Sequence, residues 1–214
     1  MSLTRVKFCG MTRARDVEAA VEIGASAVGF VCYPPSPRFV APERLKDLAH
    51  RLPPFVTPVL LFVNATDDSI QRALEQVPNA LLQFHGDETA AQCERFAQPH
   101  MRAIRMEDGV VLLDYERNNT SSIGLLADTL VEGYGGGGRN FDWTRVPPAS
   151  ARTKPLVLAG GLTAANVGVA IASVRPFAVD VSSGIEASPG IKSIEKMSQF
   201  FAAVRAADLA QEAR

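Results

Sequence analysis

Short, β-branched apolar runs alternate with amphipathic stretches along the whole of this chain. The runs are Val6–Cys9, Ala27–Val31, Pro58–Val63, Leu81–His85, Met101–Arg105, Ile123–Asp128, Leu156–Ala159 and Ala178–Val181. Their starts lie about 20–30 residues apart, the length of one βα unit in a compact barrel. Pro58-Val59-Leu60-Leu61-Phe62-Val63 is apolar on both faces, as a parallel strand covered on both sides requires. Between the runs, Ala14–Ile23 carries Val17, Ala20 and Val21 at helical spacing, with Gly24 as a stop signal. Ser69–Val77 and Ile194–Ala207 repeat the pattern, the latter with Met197, Phe200, Phe201 and Val204 on one face. Glu107–Thr120 gives the least regular helix signal. The alternation predicts an α/β protein, a single (β/α)8 TIM barrel over residues 1–214, in preference to an open doubly wound sheet.

A chain of 214 residues, 47% hydrophobic and 21% charged, can bury one core of that size. The formal net charge is −1 and Lys and Arg are scattered, which argues against a nucleic-acid partner. No apolar run approaches the roughly 18–20 residues that cross a bilayer, so no membrane partner is expected. Met1–Arg5 leads directly into a strand without the apolar core of a signal peptide, which points to the cytoplasm. Cys9, Cys32 and Cys93 are odd in number and far apart, and His50, His85 and His100 form no ligand-spaced pair. No disulfide framework, metal or cofactor is expected.

In a barrel, chemistry gathers at the C-terminal ends of the strands. The first strand ends Lys7-Phe8-Cys9-Gly10, placing a thiol at the mouth. It is a candidate base if its pKa falls, and Lys7 on the same face is a candidate for lowering it; a small buried hydrophobe is the alternative. After the second strand, Tyr33-Pro34-Pro35-Ser36-Pro37-Arg38 puts a guanidinium on a proline-stiffened loop, suited to a carboxylate or phosphate. The fourth strand places Gln83 and His85 on one face, with Asp87 and Glu88 expected to open the next helix. The sixth ends in Asp128, across the barrel from Cys9 and a candidate acid or base. The loop beyond it contains Gly133-Tyr134-Gly135-Gly136-Gly137-Gly138. The last two strands run into Gly160-Gly161 and, after Asp180, into Ser182-Ser183-Gly184, side by side where many barrels bind phosphate through backbone N–H groups. Asn166 and Val167 should open the seventh helix. The tail after Ala207 reads as a solvated helix end.

KFCGMT, GFVCYPPSPRFV, QFHGDE, LLADT…GYGGGGRNFDW, LAGGL…NV and DVSSGIE…PGIKS occur in this order. In these motifs the chain, from Val6 to about Phe201, resembles the phosphoribosylanthranilate isomerases. The resemblance implies a (β/α)8 barrel without cofactor or metal that acts on a small phosphosugar-anthranilate. It also implies an Amadori rearrangement with Cys9 as general base and Asp128 as general acid. Arg38 falls on the arginine that meets the anthranilate carboxylate. Gln83, His85 and Asp180 fall on pocket positions, and Gly160, Gly161, Ser183 and Gly184 in the phosphate loops. A monomer or homodimer is expected. Gly137 stands where Thr or Ser is usual, and Met11 where Ile or Leu is usual. The competing readings are a histidine-pathway sugar-phosphate isomerase, which uses two aspartates, a non-catalytic phosphate-binding barrel, and a subunit of a larger complex.

Overall fold

The computed structural model describes residues 3–129 and 142–212. Eight parallel strands close into a barrel in sequence order: β1 (Arg5–Cys9), β2 (Ala27–Val31), β3 (Thr57–Phe62), β4 (Leu81–Phe84), β5 (His100–Arg105), β6 (Gly124–Asp128), β7 (Leu156–Leu158) and β8 (Ala178–Val181). Each expected run overlaps one of these strands, with ends shifted by a residue at most. Outside them lie α1 (Ala14–Ile23), α2 (Pro42–Ala49), α3 (Asp67–Gln76), α4 (Ala90–Glu94), α5 (Leu112–Asn118), α6 (Val167–Val174) and α7 (Ile194–Glu212). A two-stranded hairpin, β9 (Glu186–Ser188) and β10 (Ile191–Lys192), follows β8.

The period of two along each strand sorts the core into two shells. Val6 and Phe8 of β1, Leu60 and Phe62 of β3, Leu82 and Phe84 of β4, and Val179 and Val181 of β8 face the helices and join the main core. The alternate positions point into the barrel. There Val59, Met101, Leu126, Val157 and Ala178 form an apolar layer, and Cys9, Val31 and Leu61 lie in a separate cluster with Val63. The inward parity also includes Lys7, Gln83, His85, Asp128 and Asp180, so one alternation both builds the core and presents polar groups at the mouth.

Helix ends follow local chemistry. Gly24 closes α1 at φ 107, and its N–H returns to the carbonyls of Ala20 and Val21. The irregular Glu107–Thr120 segment holds the seven-residue α5, whose buried positions are Leu112 and the charged Glu116, so its inner face does not read as an apolar stripe. The expected start of α4 is corrected. Thr89, not Asp87 or Glu88, caps it, in a reciprocal capping box with Gln92. Glu88 is buried instead, accepting Arg102 Nη1 at 2.7 Å and the N–H groups of Asn64 and Gly86. The reading of the tail is corrected too. α7 continues to Glu212, and buried Asp208 accepts the N–H and hydroxyl of Thr4 just before β1. Among the described residues no helix is long and apolar enough to cross a membrane.

Candidate active site

The sequence-predicted residues converge on the C-terminal rim of the barrel. Cys9 ends β1, Asp128 ends β6, His85 follows β4, and Asp180 lies within β8. β7 and β8 stand between β6 and β1 in the closed ring. Their loops, with Gly160 and Gly161 on one and Ser183 and Gly184 on the other, therefore occupy the arc between Asp128 and Cys9.

Cys9 is buried, and its neighbour across the sheet is Gly29 of β2. A Cβ on Gly29 would stand 2.7 Å from the Cys9 sulfur and 3.1 Å from Lys7 Cε. The absent side chain is the space that both groups share. Lys7 pairs with Asp180 across the β1–β8 register, Nζ to Oδ2 at 2.8 Å. Burial opposes the charge on Lys7, but Asp180 and Cys9 together outweigh it and hold the ammonium above its ordinary range. Burial pushes the Cys9 thiol up, while Lys7 pulls it down and Asp180 pushes it up again. The expectation that Lys7 lowers the thiol is thus met in sign and outweighed in sum. Lys7 does stabilise the thiolate, but it is already engaged with a carboxylate.

Asp128 is held at both oxygens. Oδ1 accepts the N–H of Thr129 at 2.7 Å, and Oδ2 lies 3.0 Å from His85 Nε2. Gln83 Nε2 lies 3.0 Å from His85 Nδ1. An amide nitrogen only donates, so Nδ1 accepts and the proton sits on Nε2, directed at Asp128. Gly160, at φ 83, backs this arrangement: a Cβ there would meet Thr129 Oγ1 at 2.2 Å and Asp128 Oδ1 at 2.9 Å.

Arg38 reaches the rim above Gly10, where a Cβ would stand 2.6 Å from its Cδ. Its Nε and Nη2 donate to the two oxygens of Glu186 at 2.8 and 2.7 Å. That fork leaves the Nη1/Nη2 edge of the guanidinium as its second bidentate face. Lys192 Nζ closes the cluster on Glu186 Oε1 at 2.8 Å. Burial works against the Glu186 charge, but the Arg38 hydrogen bonds and Lys192 outweigh it and hold the carboxyl below its usual range. Two cations around one carboxylate leave an excess positive charge beside the mouth. Between β7 and β8 the backbones touch: a Cβ on Gly184 would lie 2.0 Å from the Leu162 carbonyl. Ser183–Ile185 form a 3₁₀ turn, and the first N–H groups of such a turn have no partner within it. Asn166 braces the other loop, donating to the Gly161 carbonyl at 2.9 Å and accepting the Thr163 N–H at 2.8 Å.

The sequence profile described as N-(5'phosphoribosyl)anthranilate (PRA) isomerase matches residues 6–203. The chain belongs to the N-(5′-phosphoribosyl)anthranilate isomerase family. It is 56% identical over 205 residues to the Leptothrix cholodnii isomerase of that name, covering 96% of this chain and 92% of that one. It is 55% identical to the Dechloromonas aromatica isomerase, covering 96% and 98%. Among solved structures, phosphoribosyl anthranilate isomerase from Thermotoga maritima superposes with a TM-score of 0.85 at 40% identity, over 95% of this chain and all (100%) of that one. A phosphoribosyl anthranilate isomerase in complex with reduced 1-(o-carboxyphenylamino)-1-deoxyribulose 5-phosphate superposes at 0.82 with 38% identity, covering 95% and 100%. The chain is an enzyme of tryptophan biosynthesis, an isomerase that carries out the Amadori rearrangement of N-(5′-phosphoribosyl)anthranilate.

Against this phosphoribosylanthranilate isomerase framework, residue reading missed Glu186 and Lys192. They are cross-strand partners in the β9–β10 hairpin, and the Ser188-Pro189-Gly190 turn signal between them is the clue that would have paired them. It also gave no role to Gly29, although that residue opens the GFVCYPPSPRFV motif. The glycine-rich segment Gly133–Gly138, including Gly137, lies outside the described residues.

Proposed function

We propose that Cys9 is the general base and Asp128 the general acid of the rearrangement. Asp128 protonates the furanose ring oxygen, and the ring opens to a protonated Schiff base. Cys9 then takes the C2′ proton, giving an enolamine that tautomerises to the ketone. Arg38 receives the anthranilate carboxylate on its Nη1/Nη2 edge. Gly160, Gly161, Ser183 and Gly184 receive the phosphate on the loops after β7 and β8, remote from the reacting carbon, so that phosphate binding positions the sugar. Asp180, Gln83 and His85 line the pocket between these anchors.

The observation that carries this reading is the arc itself: a thiol on β1 and a doubly held carboxylate on β6, separated by two glycine-bearing loops. The experiment is the decay of anthranilate-type fluorescence when freshly prepared substrate meets the enzyme. Cys9→Ala and Asp128→Asn should each slow it by ~10²–10⁴-fold. A Cys9→Ala enzyme with parental turnover would remove the base assignment. A solved isomerase of the family is named as dimeric. We propose a monomer or homodimer here, distinguished by sedimentation, working in the cytoplasm where its free thiols stay reduced.

A further inference from the structure

The Cys9 thiol is faced by charge from three elements: Lys7 on its own strand, Asp180 on β8 and Lys192 on β10. β2 faces it with Gly29, which offers no side chain. Arg38, above Gly10, is committed to Glu186 through two donors. Lys192 is committed to Glu186 and to Ser182. Lys7 differs from both. Its Nζ holds Asp180 Oδ2 at 2.8 Å, and its side chain shares the space over Gly29 with the Cys9 sulfur, 3.1 and 2.7 Å from the Cβ position there, so one buried ammonium stands between two acceptors. Asp180 in turn is half used. It is 8% exposed, and Oδ1 meets no donor among the described residues. A buried carboxylate oxygen without a donor is costly, so it will take one from whatever fills the mouth.

We propose that Lys7 is a positioning residue shared between Asp180 and Cys9, and that a donor on the bound substrate, settling on Asp180 Oδ1, shifts Lys7 towards Cys9 and stabilises the thiolate. The proposal rests on the reading of Cys9 as the base. The donor is a sugar hydroxyl or the anilinic N–H. By taking up part of the carboxylate's charge it weakens the hold of Asp180 on the ammonium. The thiol proton leaves to water at the mouth, and Lys7 keeps its three protons and pairs with the sulfur. The thiolate then accepts the C2′ proton. The C–H electron pair becomes the C1′–C2′ double bond, and the iminium pair returns to nitrogen. The thiolate that acts as base is therefore formed mainly when the mouth is filled.

The test is a pH titration of thiolate absorbance near 240 nm, taken as the difference between each enzyme and its Cys9→Ala counterpart. Asp180→Asn should move the Cys9 midpoint down by a unit or more, a tenfold change in ionisation, and Lys7→Met should move it up by a similar amount. Lys7→Arg, which keeps the charge, should restore most of the parental midpoint. Saturating reduced 1-(o-carboxyphenylamino)-1-deoxyribulose 5-phosphate should lower the midpoint in the parent and leave it unmoved in Asp180→Asn. A residue that merely fills space would not produce opposite shifts from the two ends of one ion pair. Midpoints that move together, or stay put, overturn the proposal. If Lys7→Met does not fold, the Asp180→Asn and product-analogue arms decide alone. Turnover by Cys9→Ala is scored separately. Its survival would remove the base assignment, whereas failed shifts beside an inactive Cys9→Ala would remove the Lys7 exchange alone.

Discussion

His85 Nε2 stands 3.0 Å from Asp128 Oδ2, and the proton between them belongs to the histidine, because Gln83 has already occupied Nδ1. The imidazole is thereby oriented as a donor to the carboxylate, the form Asp128 takes once it has given up its proton. A buried amide two residues away thus governs which tautomer faces the acid.

Gln83→Leu removes that control. Both tautomers of His85 then compete, and the one with its lone pair towards Asp128 repels the carboxylate. We expect kcat to fall about tenfold, at the cost of roughly one charge-assisted hydrogen bond, while KM changes little. Steady-state fluorescence kinetics check it. A fall in affinity with kcat intact would mean that Gln83 acts on binding instead.

Gly29→Ala tests the space beneath the base. The new methyl would stand 2.7 Å from the Cys9 sulfur and 3.2 Å from Cys9 Cα, so the thiol has to leave its place. Gly29 sits in a regular strand, and no unusual backbone angle is at stake. Turnover should drop at least tenfold in a protein with parental circular dichroism. Unchanged turnover would show that the position of Cys9 is not critical.

The barrel was legible in the sequence because its strands are apolar on both faces and its turns carry glycine. Ala27–Val31 and Ala178–Val181 match β2 and β8 at both ends. The mouth was legible to the extent that parity and strand ends could place it: Lys7 with Cys9, Gln83 with His85, Asp128 at the end of β6. What stayed hidden depends on pairing across long sequence separations. Nothing local marks Glu186 as the partner of Arg38, a contact spanning 148 residues. Nor does anything local mark Glu88 as the partner of Arg102 rather than a helix-dipole acid. The net direction of the Cys9 shift was likewise out of reach, because burial and Asp180 push it up while Lys7 and Lys192 pull it down.

Asp208 provides the contrast between fold and chemistry. It sits at the far end of the molecule from the mouth, where it accepts the Thr4 N–H and hydroxyl and pairs with Arg205. Asp208→Ala leaves the Thr4 donors without their acceptor. We expect a loss of about 1–3 kcal/mol, which lowers Tm by about 2–4 °C for each kcal/mol in a chain of this size. kcat at 25 °C should be unchanged. A large kcat effect in calorimetrically folded protein would contradict this separation.

Glu186 carries a pH signature of its own. Its carboxyl is held below the usual range because Arg38 and Lys192 outweigh the burial penalty. A carboxylate depressed in the folded state adds stability that is present above its unfolded pKa, about 4.3, and is lost as pH falls through the lower folded value. Glu186→Gln should therefore cost most at neutral pH, about 3–5 kcal/mol for a broken buried pair, since it strands Lys192, whose side chain is fully buried (0% exposed). The gap between parent and variant should narrow as pH falls below about 4 and the parental carboxyl takes up its proton. Urea unfolding at a series of pH values measures it. A gap that stays constant through the acid range would mean that Glu186 contributes by shape and not by charge. Activity at neutral pH separates the two further: with Arg38 no longer held by its fork, KM for the anthranilate substrate should rise more than kcat falls.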